Sequence, residues 1–259
     1  MDLPHALSGL GVGLLVGMTG VGGGSLMTPL LVLLFGIAPT TAVGTDLWFA
    51  AVTKIFGGAV HHKGGSVDWQ VFRRLATGSI PAAVVTLALL HWTGASRSHG
   101  GLVVHALGGV LLLTAMAMIF KRRFHAIGQD LRTRLPADFK RAQPALTVLA
   151  GAILGALVTL TSIGAGALGA VMLLYLYPFR MKPATLVGTD IMHAVPLTIV
   201  AGLGHLMMGN VDLPLLGSLL LGSIPGVLAG SLLASRAPEG LLRGSIAAVM
   251  VAVGAKMLT

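Results

Sequence analysis

The chain has 259 residues, of which 55% are hydrophobic and only 10% charged, with a mean hydropathy of +0.90. A soluble domain carries about a quarter charged residues, so this composition excludes a sizeable water-soluble domain. The formal charge of +9 does not point to nucleic acid: seven Lys and Arg residues fall between Lys121 and Arg141, directly after an apolar span.

In chain order, apolar segments cover 6–36, 41–60, 70–92, 101–120, 145–178, 184–208, 213–235 and 240–258. Runs of about 20 apolar residues cross a bilayer as helices, because lipid leaves no other way to satisfy the backbone. The alternating pattern of a membrane barrel is absent. The first and fifth segments are too long for one straight crossing. Each carries glycines near its middle: Gly20-Val21-Gly22-Gly23-Gly24-Ser25, and Gly164-Ala165-Gly166 with Gly169. Glycine weakens a helix interior by roughly 1 kcal/mol relative to alanine, so each segment is expected to be a broken helix or a re-entrant pair. The N-terminus lacks the basic region and cleavage site of a removable signal peptide, so the first apolar stretch is expected to be retained. No cysteine is present, which removes disulfides, thiolate metal sites and thiol catalysis.

A fixed offset of 144 residues organises the chain. Val43-Gly44-Thr45-Asp46 recurs as Val187-Gly188-Thr189-Asp190, and Gly78-Ser79-Ile80-Pro81 as Gly222-Ser223-Ile224-Pro225. Pro39 and Pro183, His61 and His205, and Val67-Asp68 and Val211-Asp212 keep the same spacing. The same shift maps Gly20 and Gly22 onto Gly164 and Gly166, with no gap required. The expected architecture is all-α and polytopic: about eight hydrophobic segments in two repeated halves, residues 1–120 and 145–259. The basic linker 121–144 between them reads as cytoplasmic under the positive-inside rule. Counting each broken segment as one crossing makes the halves parallel; counting it as re-entrant makes them inverted.

Candidate chemistry lies at the breaks and on the spans beside them. A break exposes backbone N–H groups at the positive end of its second half, which can bind an anion without cationic side chains. Gly22, Gly23, Gly24 and Ser25, with Ser25 as the expected N-cap, are one such cradle; Ser162, Gly164 and Gly166 are its looser counterpart. Close packing of small residues is the competing reading. Thr45 and Thr189 are candidate substrate contacts beside Asp46 and Asp190, whose carboxylates suit either a coupling proton or a lock on a helix N-terminus. His193 shares a helix face with Asp190 and can complete a proton relay or simply pack. Lys54, well inside a span, can neutralise an anionic substrate or Asp46, or snorkel to the interface. His61 and His205, at matching segment ends, can cap a helix or gate a path.

At these residues the chain resembles the sulfite exporter TauE/SafE family of membrane permeases. The likeness rests on Gly20 through Ser25 with Pro29, on Pro39-Thr40-Thr41-Ala42-Val43-Gly44-Thr45, and on Gly58 through His61 to Gly65-Ser66-Val67. The resemblance implies about eight segments in two halves and transport of sulfur-containing anions such as sulfite, sulfonates or thiosulfate.

The leading expectation is a multi-pass inner-membrane permease for a small anion, coupled to a proton gradient, with the lipid bilayer as its surroundings and a homo-oligomer as one possible state. No nucleotide motif, cofactor motif or metal-ligand set appears. An anion channel and a structural membrane subunit are the alternatives. An intramembrane enzyme would need a clustered nucleophile and base or a metal set, and the only glutamate is Glu239.

Overall fold

The computed structural model describes residues 3–19, 24–63, 65–94, 100–233 and 239–258. Among them the chain is helical: α1 Leu3–Thr19, α2 Gly24–Leu33, α3 Pro39–Lys63, α4 Trp69–Thr93, α5 Gly100–Ile119, α6 Lys121–Arg134, α7 Pro136–Thr161, α8 Ala167–Leu176, α9 Pro183–Met207, α10 Leu213–Leu233 and α11 Glu239–Leu258. Four of the described helices are long and apolar enough to cross a membrane: α4, α7, α9 and the Leu213–Gly230 part of α10. A fifth candidate is α5 taken together with α6, bent by 65° where they join. The expected count of eight segments is therefore met only in part by helix length and composition.

Local chemistry sets the helix ends. Pro39, Pro136 and Pro183 open α3, α7 and α9, where a missing N–H costs nothing. Asp68 caps α4 by accepting the Val71 N–H at 3.2 Å, and Asp212 accepts the Leu215 N–H at 2.9 Å at the start of α10. α3 and α9 begin and end 144 residues apart, and α4 and α10 begin 144 apart.

The glycine break departs from that spacing. α1 and α7 end at Thr19 and Thr161, which are 142 residues apart. Packing follows the same shorter register: Gly9 and Gly13 lie against the carbonyls of Leu219 and Ser223, while Gly151 and Gly155 lie against those of Leu75 and Ser79. The half-helices after the breaks, Gly24–Leu33 and Ala167–Leu176, begin and end 143 residues apart, so the single gap-free spacing does not run through the breaks; Gly20 and Gly22 themselves lie outside the described residues. The connection from α8 to α9 is longer than that from α2 to α3, which hides the slip.

These contacts also give helix directions. Successive glycines of α1 meet successive carbonyls of α10 in ascending order, so α1 and α10 run parallel; α7 and α4 do the same. In contrast, Gly44 lies on His205 while Trp48 donates Nε1–H to the Gly202 carbonyl at 3.0 Å, so α3 and α9 run antiparallel. Gly108 faces Met257 and Leu258 while Gly254 faces Leu111 and Leu112, so α5 and α11 are antiparallel as well. A side chain at Gly9, Gly13, Gly151 or Gly155 would collide with the facing backbone; small residues here permit the close approach on which membrane helices depend.

Candidate substrate site

The break between α7 and α8 is buried throughout residues 161–169. Irregular backbone is tolerated at membrane depth only where protein covers it. Ser162 sits in the left-handed region at φ 58°, and Gly164 and Gly166 both at φ 125°, which a side chain would strain. The last carbonyls of α7 find local or cross-helix donors. Ser162 N–H reaches Val158 O at 2.7 Å, and His205 donates Nε2–H to Thr159 O at 2.9 Å. His205 thus caps a helix C-terminus, that of α7 rather than of its own helix α9.

Three formally charged side chains converge on this break. Lys54 of α3 donates from Nζ to the Ala165 carbonyl at 3.2 Å, and its charge faces both Asp46 and Asp190. All three are buried, at 6%, 0% and 3% exposure. Asp46 Oδ2 accepts the Thr28 hydroxyl of α2 at 2.5 Å, with the Ser162 hydroxyl also turned toward the carboxylate. Asp190 of α9 lies against Gly166 and Gly169, the N-cap and first turn of α8. Each carboxylate therefore addresses one of the ten-residue half-helices α2 and α8. Such helices span about 15 Å, roughly half the hydrocarbon. One oxygen of each carboxylate, Asp46 Oδ1 and Asp190 Oδ1, and the Ser162 hydroxyl have no hydrogen-bond partner.

The expected Asp190–His193 pair does not form. His193 Nε2 is paired with the Ser79 hydroxyl of α4 at 2.8 Å, and Nδ1 has no partner. Sharing a helix face brings residues near one another, yet a hydroxyl from the neighbouring helix meets the ring first. Thr45 and Thr189 also turn elsewhere: their hydroxyls accept the Asp212 and Asp68 backbone N–H groups at 3.0 and 2.9 Å. Gly22 and Gly23 lie outside the described residues. Gly24 opens α2, so Ser25 falls in its first turn rather than ahead of it; its side chain, like that of His61 in α3, is also outside the description. Sequence reading missed Thr28 and Ser79, although Ser79 belongs to a recurring tetrapeptide.

A bundle of long apolar helices closed around a buried helix break, with one ammonium and two carboxylates at the break, defines a multi-pass membrane protein of transporter type. The chain belongs to the sulfite exporter TauE/SafE family, whose family model matches residues 5–257. It is 43% identical over 217 residues, 83% of each chain, to the probable membrane transporter protein YjnA of Bacillus subtilis (strain 168). It is 25% identical over 209 residues, 79% of each chain, to the probable membrane transporter protein YdhB of the same organism. A shorter match, 38% over 77 residues, links it to a probable membrane transporter protein of Haemophilus influenzae, covering 27% of this chain and 29% of that one. No solved structure matches. The family and these relatives are membrane transporters, not enzymes.

Proposed function

We propose that the chain is a secondary transporter that moves a small sulfur-containing oxyanion, such as sulfite, a sulfonate or thiosulfate, together with a proton. The observation that carries this reading is the burial of Lys54, Asp46 and Asp190 around one helix break, with the ammonium on the Ala165 carbonyl and in the field of both carboxylates without pairing with either. With all three ionised the formal charges sum to −1, which repels an anion. One proton on either carboxylate brings the cluster to neutrality, and it also releases the positive end of a half-helix for the substrate. Anion and proton then enter together. The substrate site in this reading lies at the two breaks, with Gly22 to Ser25 on one side and Ser162, Gly164 and Gly166 on the other.

The same reading assigns an architecture of two inverted halves, 1–120 and 145–259, joined by a cytoplasmic linker 121–144. Supporting it, α3 runs antiparallel to α9, its counterpart at the 144-residue spacing, and α5 antiparallel to α11. An axis exchanging antiparallel spans lies in the membrane plane, as in many transporters. Parallel α1 and α10, and parallel α7 and α4, fit that axis. They require the first break of each half to fold back rather than continue across.

Uptake into proteoliposomes, screened across sulfite, sulfonates, thiosulfate, sulfate and simple carboxylates with and without a pH gradient, tests the function. Saturable uptake of a sulfur oxyanion, accelerated by an inward proton gradient, is expected. Flux that fails to saturate and ignores the pH gradient identifies a channel instead.

A further inference from the structure

Helix α6 turns 65° away from α5 and carries Lys121, Arg122 and Arg123 in its first turn and Arg132 and Arg134 in its last. A basic amphipathic helix leaving a span at such an angle lies along a membrane interface. On the side facing the bundle, α6 shares an apolar crevice of about 500 Å3 with α5 and α8. Its walls include Met116 of α5, Phe120 at the bend, Phe124 and Ile127 of α6, and Val171 and Met172 of α8. Phe120, Phe124 and Ile127 are exposed at its edge. The guanidinium of Arg123 stands 5.9 Å from the centroid of the Phe120 ring, which puts a cation at the mouth of an otherwise apolar cleft.

A similar crevice of about 600 Å3 lies beside the other half-helix, lined by Leu26, Pro29, Leu30 and Leu33 of α2. These positions correspond, at the 142-residue spacing, to Leu168, Val171, Met172 and Tyr175 of α8 in the first crevice. The apolar cleft thus recurs with a basic side chain at each, Lys256 lining the second crevice and Arg123 standing over Phe120 at the first.

We infer that the α5–α6–α8 crevice binds one anionic phospholipid, with an acyl chain along Met116, Phe124 and Val171 and the headgroup phosphate on Arg123. The apolar lining selects a hydrocarbon chain, and the adjoining Arg123 guanidinium selects a negative headgroup, as basic pockets beside membrane helices do. Zwitterionic lipid satisfies the first requirement without the second. Occupancy bears on the transport machinery because α8 is the half-helix whose N-terminus faces Asp190. α6 grips α8 closely: Gly128 lies against the Tyr175 carbonyl, and His125 Nδ1 reaches the Leu174 carbonyl at 3.4 Å.

Photo-crosslinking with diazirine-tailed lipids in proteoliposomes tests the site. Full-length protein is irradiated with tail-labelled phosphatidylglycerol or phosphatidylcholine, and the labelled peptides are mapped by mass spectrometry. We expect phosphatidylglycerol to label residues 113–127 and 168–175 at least threefold more than phosphatidylcholine. The preference should disappear in the Arg123→Gln variant, and Ile127→Trp should reduce labelling by both lipids. Equal labelling of the unmodified protein by the two lipids overturns the proposal without recourse to any variant. So does a preference that survives loss of Arg123, or a cross-link between two copies of the chain through residues 116–127.

Discussion

Thr45 accepts the backbone N–H of Asp212 at 3.0 Å, and 144 residues along the chain Thr189 accepts that of Asp68 at 2.9 Å. In each case a buried hydroxyl on one long helix receives the first N–H ahead of another, and the aspartate concerned caps that other helix with its own side chain. The two aspartates also keep the 144-residue spacing, so the two bonds exchange partners between equivalent positions. Thr45→Val and Thr189→Val preserve shape and remove the acceptor, leaving a partly buried donor unmatched at a cost of about 1–3 kcal/mol each. Thermal unfolding in detergent should show a lowered midpoint for each. The double variant should lose about the sum, since distant independent sites add. The Thr45→Ser and Thr189→Ser variants, which keep the hydroxyl, should retain most of the stability.

Lys54 is the buried cation in the field of the two carboxylates at the break, though it pairs with neither, so its loss leaves buried negative charge without a counter-ion. Breaking a buried pair by removing one partner costs about 3–5 kcal/mol. Lys54→Gln should therefore destabilise the protein strongly in detergent and abolish uptake. Adding Asp46→Asn or Asp190→Asn to it removes one of the two uncompensated charges and should recover part of the stability without restoring transport. Recovery of both together would separate Lys54 from the transport cycle.

Gly169 has no room for a side chain, because a Cβ there would strike Asp190 Oδ1. The obstacle is a side-chain oxygen rather than backbone, so Gly169→Ala should fold while pushing the carboxylate off the start of α8. Uptake is expected to fall about tenfold, equivalent to about 1.4 kcal/mol, with the elution profile unchanged. Wild-type uptake in a folded Gly169→Ala protein would show that the position of Asp190 against α8 does not matter.

Much of this arrangement was legible in the sequence, and the reasons it was legible also mark where reading stopped. The 144-residue spacing could be read because Gly-Thr-Asp and Gly-Ser-Ile-Pro recur as whole tetrapeptides, and the start of α9 follows that of α3 by the same interval. The two-residue slip could not: Gly-rich sequence aligns with itself at several offsets, and one extra residue sits in the 162–166 break while the other sits in the Tyr177–Lys182 connection. Asp46, Asp190 and Lys54 stood out as the charges inside spans. Their convergence did not, because Lys54 reaches a carbonyl 111 residues away. His193 was assigned to Asp190 from spacing within one helix, while its partner Ser79 comes from a helix 114 residues distant. Spacing reports which residues share a face; it carries no record of what the neighbouring helix presents to that face.

His205 illustrates a structural role that a substitution can isolate. Its Nε2–H supplies the Thr159 carbonyl in the last turn of α7, where the chain leaves the helix and no backbone N–H follows in register. His205→Leu keeps the bulk and removes the donor, and should cost about 1–3 kcal/mol through an unmatched buried carbonyl. Because that carbonyl precedes Ser162 and Gly164, uptake should fall along with stability. His205→Gln, which retains a donor, should be milder in both measurements. A Leu variant as stable as the native protein would mean that another donor moves into place.

The charge count at the break yields the most direct test of coupling. Asp46, Asp190 and Lys54 together carry −1 when all are ionised, so an entering monoanion would raise the buried charge to −2 in a setting where unpaired charge is expensive. One accompanying proton holds the total at −1, and the complex then differs from the empty site by no net charge. Transport of a monoanion with one proton should accordingly be electroneutral: uptake should rise as the external pH falls at constant internal pH, and a valinomycin-clamped potential should leave it unchanged. Replacing Asp190 with Asn removes one negative charge permanently and leaves Asp46 and Lys54 balanced. The anion can then enter the Asp190→Asn protein alone, so uptake should lose its dependence on the pH gradient and become sensitive to membrane potential, slowed by a negative interior. By the same charge count Asp46→Asn leaves Asp190 and Lys54 balanced, so it should convert the behaviour in the same way if either carboxylate takes the proton, whereas conversion in one variant alone names the carrier. Uptake that stays electroneutral and gradient-driven in both variants would remove the two aspartates from the coupling mechanism.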